Sequence, residues 1–126
     1  MCIMELENVL IVDDDPEEIA IWSLYLRDSG CEKVDGASTV EEVKNLVTPD
    51  NTYDLYLLDS LRKGGDREDT EELKSVIGHI KITHPDSKIL IYTAELDDVI
   101  KDVATEMQIE ARSKGLNTME YINGLE

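Results

Sequence analysis

The chain has 126 residues, which is room for one domain with a single well-covered core and too little for a second catalytic domain. Its 29 Asp and Glu against 12 Lys and Arg leave a net charge of −17, a field that repels a phosphate backbone and argues against direct nucleic-acid binding. Apolar residues, 41% of the sequence, are bunched rather than diluted, so the acidity does not read as disorder, and no run reaches the roughly 18 residues of a membrane span.

The start, Met1-Cys2-Ile3-Met4-Glu5, lacks the basic flank and apolar stretch of a secretory signal, so a soluble, cytoplasmic protein without membrane contact is expected. Cys2 and Cys31 are too few for a disulfide framework and are not spaced as metal ligands, in keeping with a reducing compartment. A first strand is read over Asn8 to Val12, where Val9-Leu10-Ile11-Val12 is apolar without alternation, as in a parallel strand covered on both faces. Asp15, Pro16 and Glu17-Glu18 then mark a helix start with a cap and a proline in the first turn. Trp22 and Tyr25 on that helix read as core, and Gly30 as its end.

A second strand is expected over Glu32 to Gly36, with Gly36 as its end, followed by a helix that opens at Ser38-Thr39-Val40-Glu41, a cap with an acid three residues later. The third strand is read over Tyr53 to Leu58. Beyond it, Ser60 to Asp69 with its Arg62-Lys63-Gly64-Gly65-Asp66 reads as a mobile loop. Leu73, Val76, Ile77 and Ile80 share one face of the next helix, while His79 on that helix and His84 before Pro85 read as solvated. Glu68-Asp69 and Glu71-Glu72 read as solvated acids at its start. A fourth strand over Lys88 to Tyr92, a helix carrying Val99, Ile100 and Val103, and a weaker fifth strand over Gln108 to Arg112 follow. Asn117-Thr118-Met119-Glu120 opens the last helix with a capping residue and an acid three positions on.

Five strands alternating with helices predict an α/β fold, a three-layer, doubly wound, five-stranded parallel sheet in one domain over 1–126 with its core over about 8–125. In such sheets ligands bind beyond the carboxyl ends of the strands. Asp13, Asp14 and Asp15 follow the first strand and Asp59 follows the third, so three or four carboxylates converge. Like charges in a partly dry cleft either take up protons or gather a cation, and a site with few protein oxygens suits Mg²⁺ better than Ca²⁺. Thr93 and Ala94 after the fourth strand offer a hydroxyl and a backbone N–H, and Lys114 after the fifth offers an ammonium. That set suits a phosphoryl group, with Asp59 as nucleophile and Asp15 as a helix cap.

The ordered set Val12-Asp13-Asp14-Asp15-Pro16, Gly36-Ala37-Ser38, Tyr53-Asp54-Leu55-Tyr56-Leu57-Leu58-Asp59, Ile91-Tyr92-Thr93-Ala94 and Ser113-Lys114 resembles the receiver domain of two-component response regulators, from about Val9 to Leu125. The resemblance implies a flavodoxin-like sheet of strand order 2-1-3-4-5. It also implies that Asp59 accepts a phosphoryl group from a histidine kinase or phosphotransfer protein and hydrolyses it slowly, without being an enzyme acting on other substrates. Asp14, Asp59 and the backbone carbonyl of Leu61 are then Mg²⁺ ligands, with Asp13 acting mainly through water. Thr93 and the Ala94 N–H bind phosphoryl oxygens, and Lys114 pairs with the new charge. Output goes to a partner protein or effector domain, a homodimer on the helix-strand-helix face being one form of it.

Three positions depart from the family pattern. Lys63 stands where a proline is usual, Gly115 follows Lys114 in place of a proline, and Ala111 occupies the position of a Tyr or Phe whose rotation reports phosphorylation. Alanine has no rotamer to switch, so the output is not expected to run through an aromatic flip there. The departures keep a degenerate receiver, a protein-interaction module independent of phosphorylation, as an alternative. An enzymatic alternative is a phosphatase of the haloacid-dehalogenase type using Asp13, although the glycine and threonine that usually follow its Asp-x-Asp motif are missing.

Overall fold

The apolar runs form the middle of a parallel sheet. In a computed structural model describing residues 7–61 and 69–123, β1 (Asn8–Val12), β2 (Lys33–Ala37), β3 (Leu55–Leu58), β4 (Lys88–Thr93) and β5 (Glu110–Ser113) lie in the order β2-β1-β3-β4-β5. Val9 pairs with Leu55, Leu55 with Lys88 and Leu90 with Glu110, so the strand ends emerge together on one rim. Helices α1 (Pro16–Asp28), α2 (Val40–Leu46), α3 (Glu71–Thr83), α4 (Asp98–Met107) and α5 (Leu116–Asn123) fill the crossovers.

Alternation along the central strands feeds two cores. Leu10, Val12, Tyr56, Leu58, Ile89 and Ile91 pack with α2, α3 and α4, whereas Val9, Ile11, Leu55, Leu57, Leu90 and Tyr92 pack with Trp22 and Leu26 of α1 and Ile122 of α5. Each fully buried aliphatic side chain is stabilised by about 1.5–3 kcal/mol relative to exposure, which is why strands with no polar face are stable only between two helical layers. The expected three-layer α/β architecture and strand order are those observed.

Several boundaries move, each for a local reason. β3 starts at Leu55 rather than Tyr53, because the Asp54 N–H donates to Asn8 O and the Asp54 carboxylate accepts from the Glu7 and Asn8 N–H groups. β5 runs from Glu110, because Gln108 ends α4 in a left-handed conformation at φ 59. Gly36 lies within β2 rather than ending it; a Cβ there would meet Ile19 Cγ2 of α1 at 2.5 Å. Thr39, not Ser38, caps α2, its hydroxyl accepting from the Glu42 N–H. Asn117 is inside α5, which begins at Leu116, and Thr118 is buried with its hydroxyl donating to Ser113 O. Asp15 does cap α1, and Gly30 follows that helix at φ 105.

The two histidines also differ from expectation. His79 Nε2 lies 2.9 Å from Val47 O, and His84 is buried with its ring stacked on Tyr56 of the central strand β3. Cys2, the loop residues Arg62, Lys63, Gly64, Gly65 and Asp66, Glu68 and Leu125 lie outside the described residues.

Candidate functional site

The carboxyl ends of β1 and β3 lie side by side because Val12 pairs with Leu58. Two backbone bonds extend that register by a residue: the Asp13 N–H donates to Ala37 O at 3.0 Å and the Asp59 N–H to Val12 O at 2.8 Å. Asp13, Asp14 and Asp59 thereby each place a carboxylate oxygen within 4.8 Å of the other two. Asp13 is only 1% exposed, Asp59 is half-buried and Asp14 is exposed. Although the residue as a whole is exposed, partial loss of water around its carboxyl, reinforced by the neighbouring Asp59 and Asp13 charges, pushes the Asp14 carboxyl above the usual carboxylate range.

Lys114 reaches the same point from β5. Its N–H donates to Thr93 O at 2.9 Å, and Gly115 follows at φ 95, a left-handed conformation that glycine adopts without a Cβ penalty. Lys114 Nζ stands 3.2 Å from Asp13 Oδ2, 3.2 Å from Asp59 Oδ1 and 3.9 Å from Glu18 Oε2. Burial alone would lower this ammonium, but the Asp59 and Asp13 carboxylates outweigh it and hold the lysine above its ordinary value.

The carboxylates have further holders. The Asp15 N–H donates to Asp13 Oδ1 at 2.9 Å and the Tyr92 hydroxyl to Asp13 Oδ2 at 2.7 Å. The Leu61 N–H donates to Asp59 Oδ2 at 3.2 Å from a left-handed backbone at φ 55, a conformation that costs a leucine roughly 1 kcal/mol. Thr93 is buried at the end of β4, but its hydroxyl is engaged in the local turn with the Glu95 N–H and carbonyl. Ala94 follows on the exposed rim. Asp13, Asp14, Asp59 and Lys114 are thus gathered, Leu61 touches Asp59 through its amide, and Thr93 and Ala94 stand on the adjacent strand end. Ser113, before Lys114, closes β5.

Three carboxylates against one ammonium leave surplus negative charge at the centre of the rim. A hard, oxygen-seeking divalent cation fits that donor set: the acids supply oxygen only, and two units of positive charge balance the surplus. A small cleft opens beside the cluster, lined by Asp14, Ser38, Thr39, Val40, Leu61 and Glu72.

Two members of the site were not legible as such in the sequence. Glu18, in the first turn of α1, reads only as part of the helix start and lies beside Lys114. Tyr92 reads as the last apolar residue of a buried strand. The available signal was its hydroxyl, since a tyrosine enclosed at the end of a central strand must find an acceptor, and the nearest strand ends carry aspartates. Burial first, and then the hydrogen bond donated to the Asp13 carboxylate, raise the Tyr92 hydroxyl above the ordinary range.

No sequence-family model matches the chain, and no curated protein does. Solved structures do. The response regulator TrrA from Thermotoga maritima, determined in complex with Mg²⁺ and BeF, is 25% identical over 95% of this chain and 99% of its own, with a TM-score of 0.74. A CheY-like response regulator receiver domain protein from Methanospirillum hungatei is 18% identical, covering 96% of this chain and 91% of that one, at a TM-score of 0.75. The receiver domain of the histidine kinase CKI1 from Arabidopsis thaliana, complexed with Mg²⁺ and BeF3−, is 14% identical, covering 92% and 86%, at 0.71.

Proposed function

We propose, from the premise that this chain is a response-regulator receiver domain, that Asp59 accepts a phosphoryl group from a phosphohistidine of a histidine kinase or phosphotransfer protein and thereby switches contact with an output partner. The observation that carries this reading is the placement of Asp59, half-buried, with Lys114 Nζ 3.2 Å from Oδ1 and two further carboxylates within 4.8 Å.

In the step proposed, an Asp59 oxygen bonds to phosphorus while the bond from phosphorus to the donor histidine nitrogen breaks. The electron pair of that bond stays on the imidazole, which takes up a proton. Mg²⁺ would be held by Asp14 and Asp59 as direct ligands, by Asp13 through water and by the Leu61 carbonyl, and it would supply charge neutralisation for the incoming group. Lys114 is already poised on Asp59 and pairs with the added charge of about −1.5 to −2 near neutral pH. The Thr93 hydroxyl leaves the Glu95 turn to meet a phosphoryl oxygen, and the Ala94 N–H binds another. These are acts of positioning and charge compensation, the two things phosphoryl transfer needs most.

The phosphatase reading is disfavoured by Asp13 itself. Its carboxylate is enclosed, and both oxygens already accept from Asp15, Tyr92 and Lys114, which leaves little nucleophilic capacity. The reading extends to a single cytoplasmic receiver domain over 1–126. Ala111, opposite Ile91 and packed against the α2, α3 and α4 core, has no ring to turn, so the output travels by movement of Thr93 and its turn. Titrating beryllofluoride with Mg²⁺ and following Trp22 fluorescence tests the function: saturable, Mg²⁺-dependent binding that Asp59→Asn abolishes is expected. Binding that survives that change, or no binding at all, favours the phosphorylation-independent interaction module.

A further inference from the structure

Tyr92 is the one aromatic side chain whose polar end enters the acid cluster among the described residues. Its hydroxyl donates to Asp13 Oδ2 at 2.7 Å, and the same oxygen accepts from Lys114 Nζ at 3.2 Å. The other Asp13 oxygen accepts from the Asp15 N–H. Lys114 also lies 5.0 Å from the centre of the Tyr92 ring, within the range of a cation–π contact. The ring is held in turn by Trp22, edge-on at 5.6 Å and 75°, and by the α1 and α5 layer. The hydroxyl therefore has little freedom to go elsewhere.

A carboxylate oxygen has two lone-pair directions, and a buried carboxylate that loses one donor draws harder on those that remain. Lys114 is equidistant from Asp13 and Asp59, so any strengthening of its bond to Asp13 comes at the expense of Asp59. We propose that Tyr92 is a positioning residue: by occupying one lone pair of Asp13 Oδ2 it weakens the hold of Asp13 on Lys114, so that the ammonium follows Asp59 when that side chain takes up a phosphoryl group. This rests on the receiver reading given above. The ring and the hydroxyl have separable duties, the ring supporting the ammonium from beneath and the hydroxyl setting its division between the two acids.

Tyr92→Phe keeps the ring and removes the hydroxyl. In the full chain, Mg²⁺ affinity by calorimetry stays within about twofold of wild type, because the direct ligands Asp14 and Asp59 are untouched, while Mg²⁺-dependent beryllofluoride affinity by fluorine resonance falls about fivefold, the effect of one net hydrogen bond. The Lys114 ammonium nitrogen resonance of the metal-free protein moves as well. A purely structural role would lower both affinities together with the unfolding midpoint. Equal loss of both affinities, or no change in beryllofluoride affinity, overturns the proposal. If the wild-type chain does not bind beryllofluoride, the receiver reading falls, and the ammonium resonance decides alone: moved in Tyr92→Phe, it supports the division of Lys114 by Tyr92; unmoved, it refutes it. Should Tyr92→Phe fail to fold, the wild-type Tyr92 hydroxyl proton serves. Retained on Asp13 while Lys114 shifts on adding beryllofluoride, it supports the proposal, and released, it overturns it.

Discussion

Asp54 stands just before β3 and Asp59 just after it, yet the two ends of this four-residue strand treat their aspartates in opposite ways. Asp54 Oδ2 accepts from two backbone N–H groups, those of Glu7 and Asn8, both at 2.9 Å, and ties the start of β1 to β3. Beside it four polar side chains pair with one another. Tyr53 donates its hydroxyl to Asp35, Asn51 donates to Leu46 O and to the Tyr53 hydroxyl, and Lys33 donates to Asn51 while standing 3.6 Å from Asp35. At the other end Asp59 shares a single lysine with Asp13, and Asp14 adds a third carboxylate that has no cation of its own among the described residues. A polar network whose charges are compensated holds a fold together. One that keeps surplus charge of a single sign is poised for something that arrives from solution.

Substitutions at the two ends sharpen that contrast. The largest effect falls on Asp59→Asn, which removes phosphoryl uptake entirely, measured by intact mass after incubation with a small acyl phosphate and Mg²⁺. Asp54→Ala leaves uptake unchanged and costs about 1 kcal/mol of stability, since it releases two exposed backbone donors to water, as denaturant unfolding would register. Next comes Asp14→Asn, which weakens Mg²⁺ binding by more than about tenfold in calorimetry. The same change raises the metal-free unfolding midpoint by about 2 °C, because it relieves repulsion that solvent already screens in part. An Asp14→Asn protein that melts lower without metal would mean that the cluster is held by contacts rather than strained by charge. Smaller in functional consequence is Tyr53→Phe. It strips the matched network of its central hydroxyl, costs about 1–2 kcal/mol, and leaves metal affinity as it was.

Legibility in the sequence followed the length scale of the interactions. The central strands were readable because Val9-Leu10-Ile11-Val12, Leu55-Tyr56-Leu57-Leu58 and Ile89-Leu90-Ile91-Tyr92 have no polar face, which only a sheet buried on both sides accommodates. Asp13, Asp14, Asp59 and Lys114 were readable because a parallel sheet delivers the residue after each strand to one rim. What failed was decided by neighbours distant in sequence. Gly36 looks like a strand end until Ile19 of α1 is placed against it, His84 looks solvated until Tyr56 stacks on it, and Tyr92 counts as apolar until Asp13 meets its hydroxyl. Helix starts were misplaced by one residue at Ser38 because two hydroxyls, those of Ser38 and Thr39, both reach Glu42 and only backbone geometry selects the cap.

Locating the phosphoryl group on the chain tests the central claim most directly. After reaction with a small acyl phosphate and Mg²⁺, reductive trapping of the acyl phosphate followed by peptide mass mapping should mark Asp59 and no other aspartate. A mark on Asp13, or a protein that stays unmarked while its Mg²⁺ site is filled, contradicts the assignment of Asp59 as the phosphoryl acceptor.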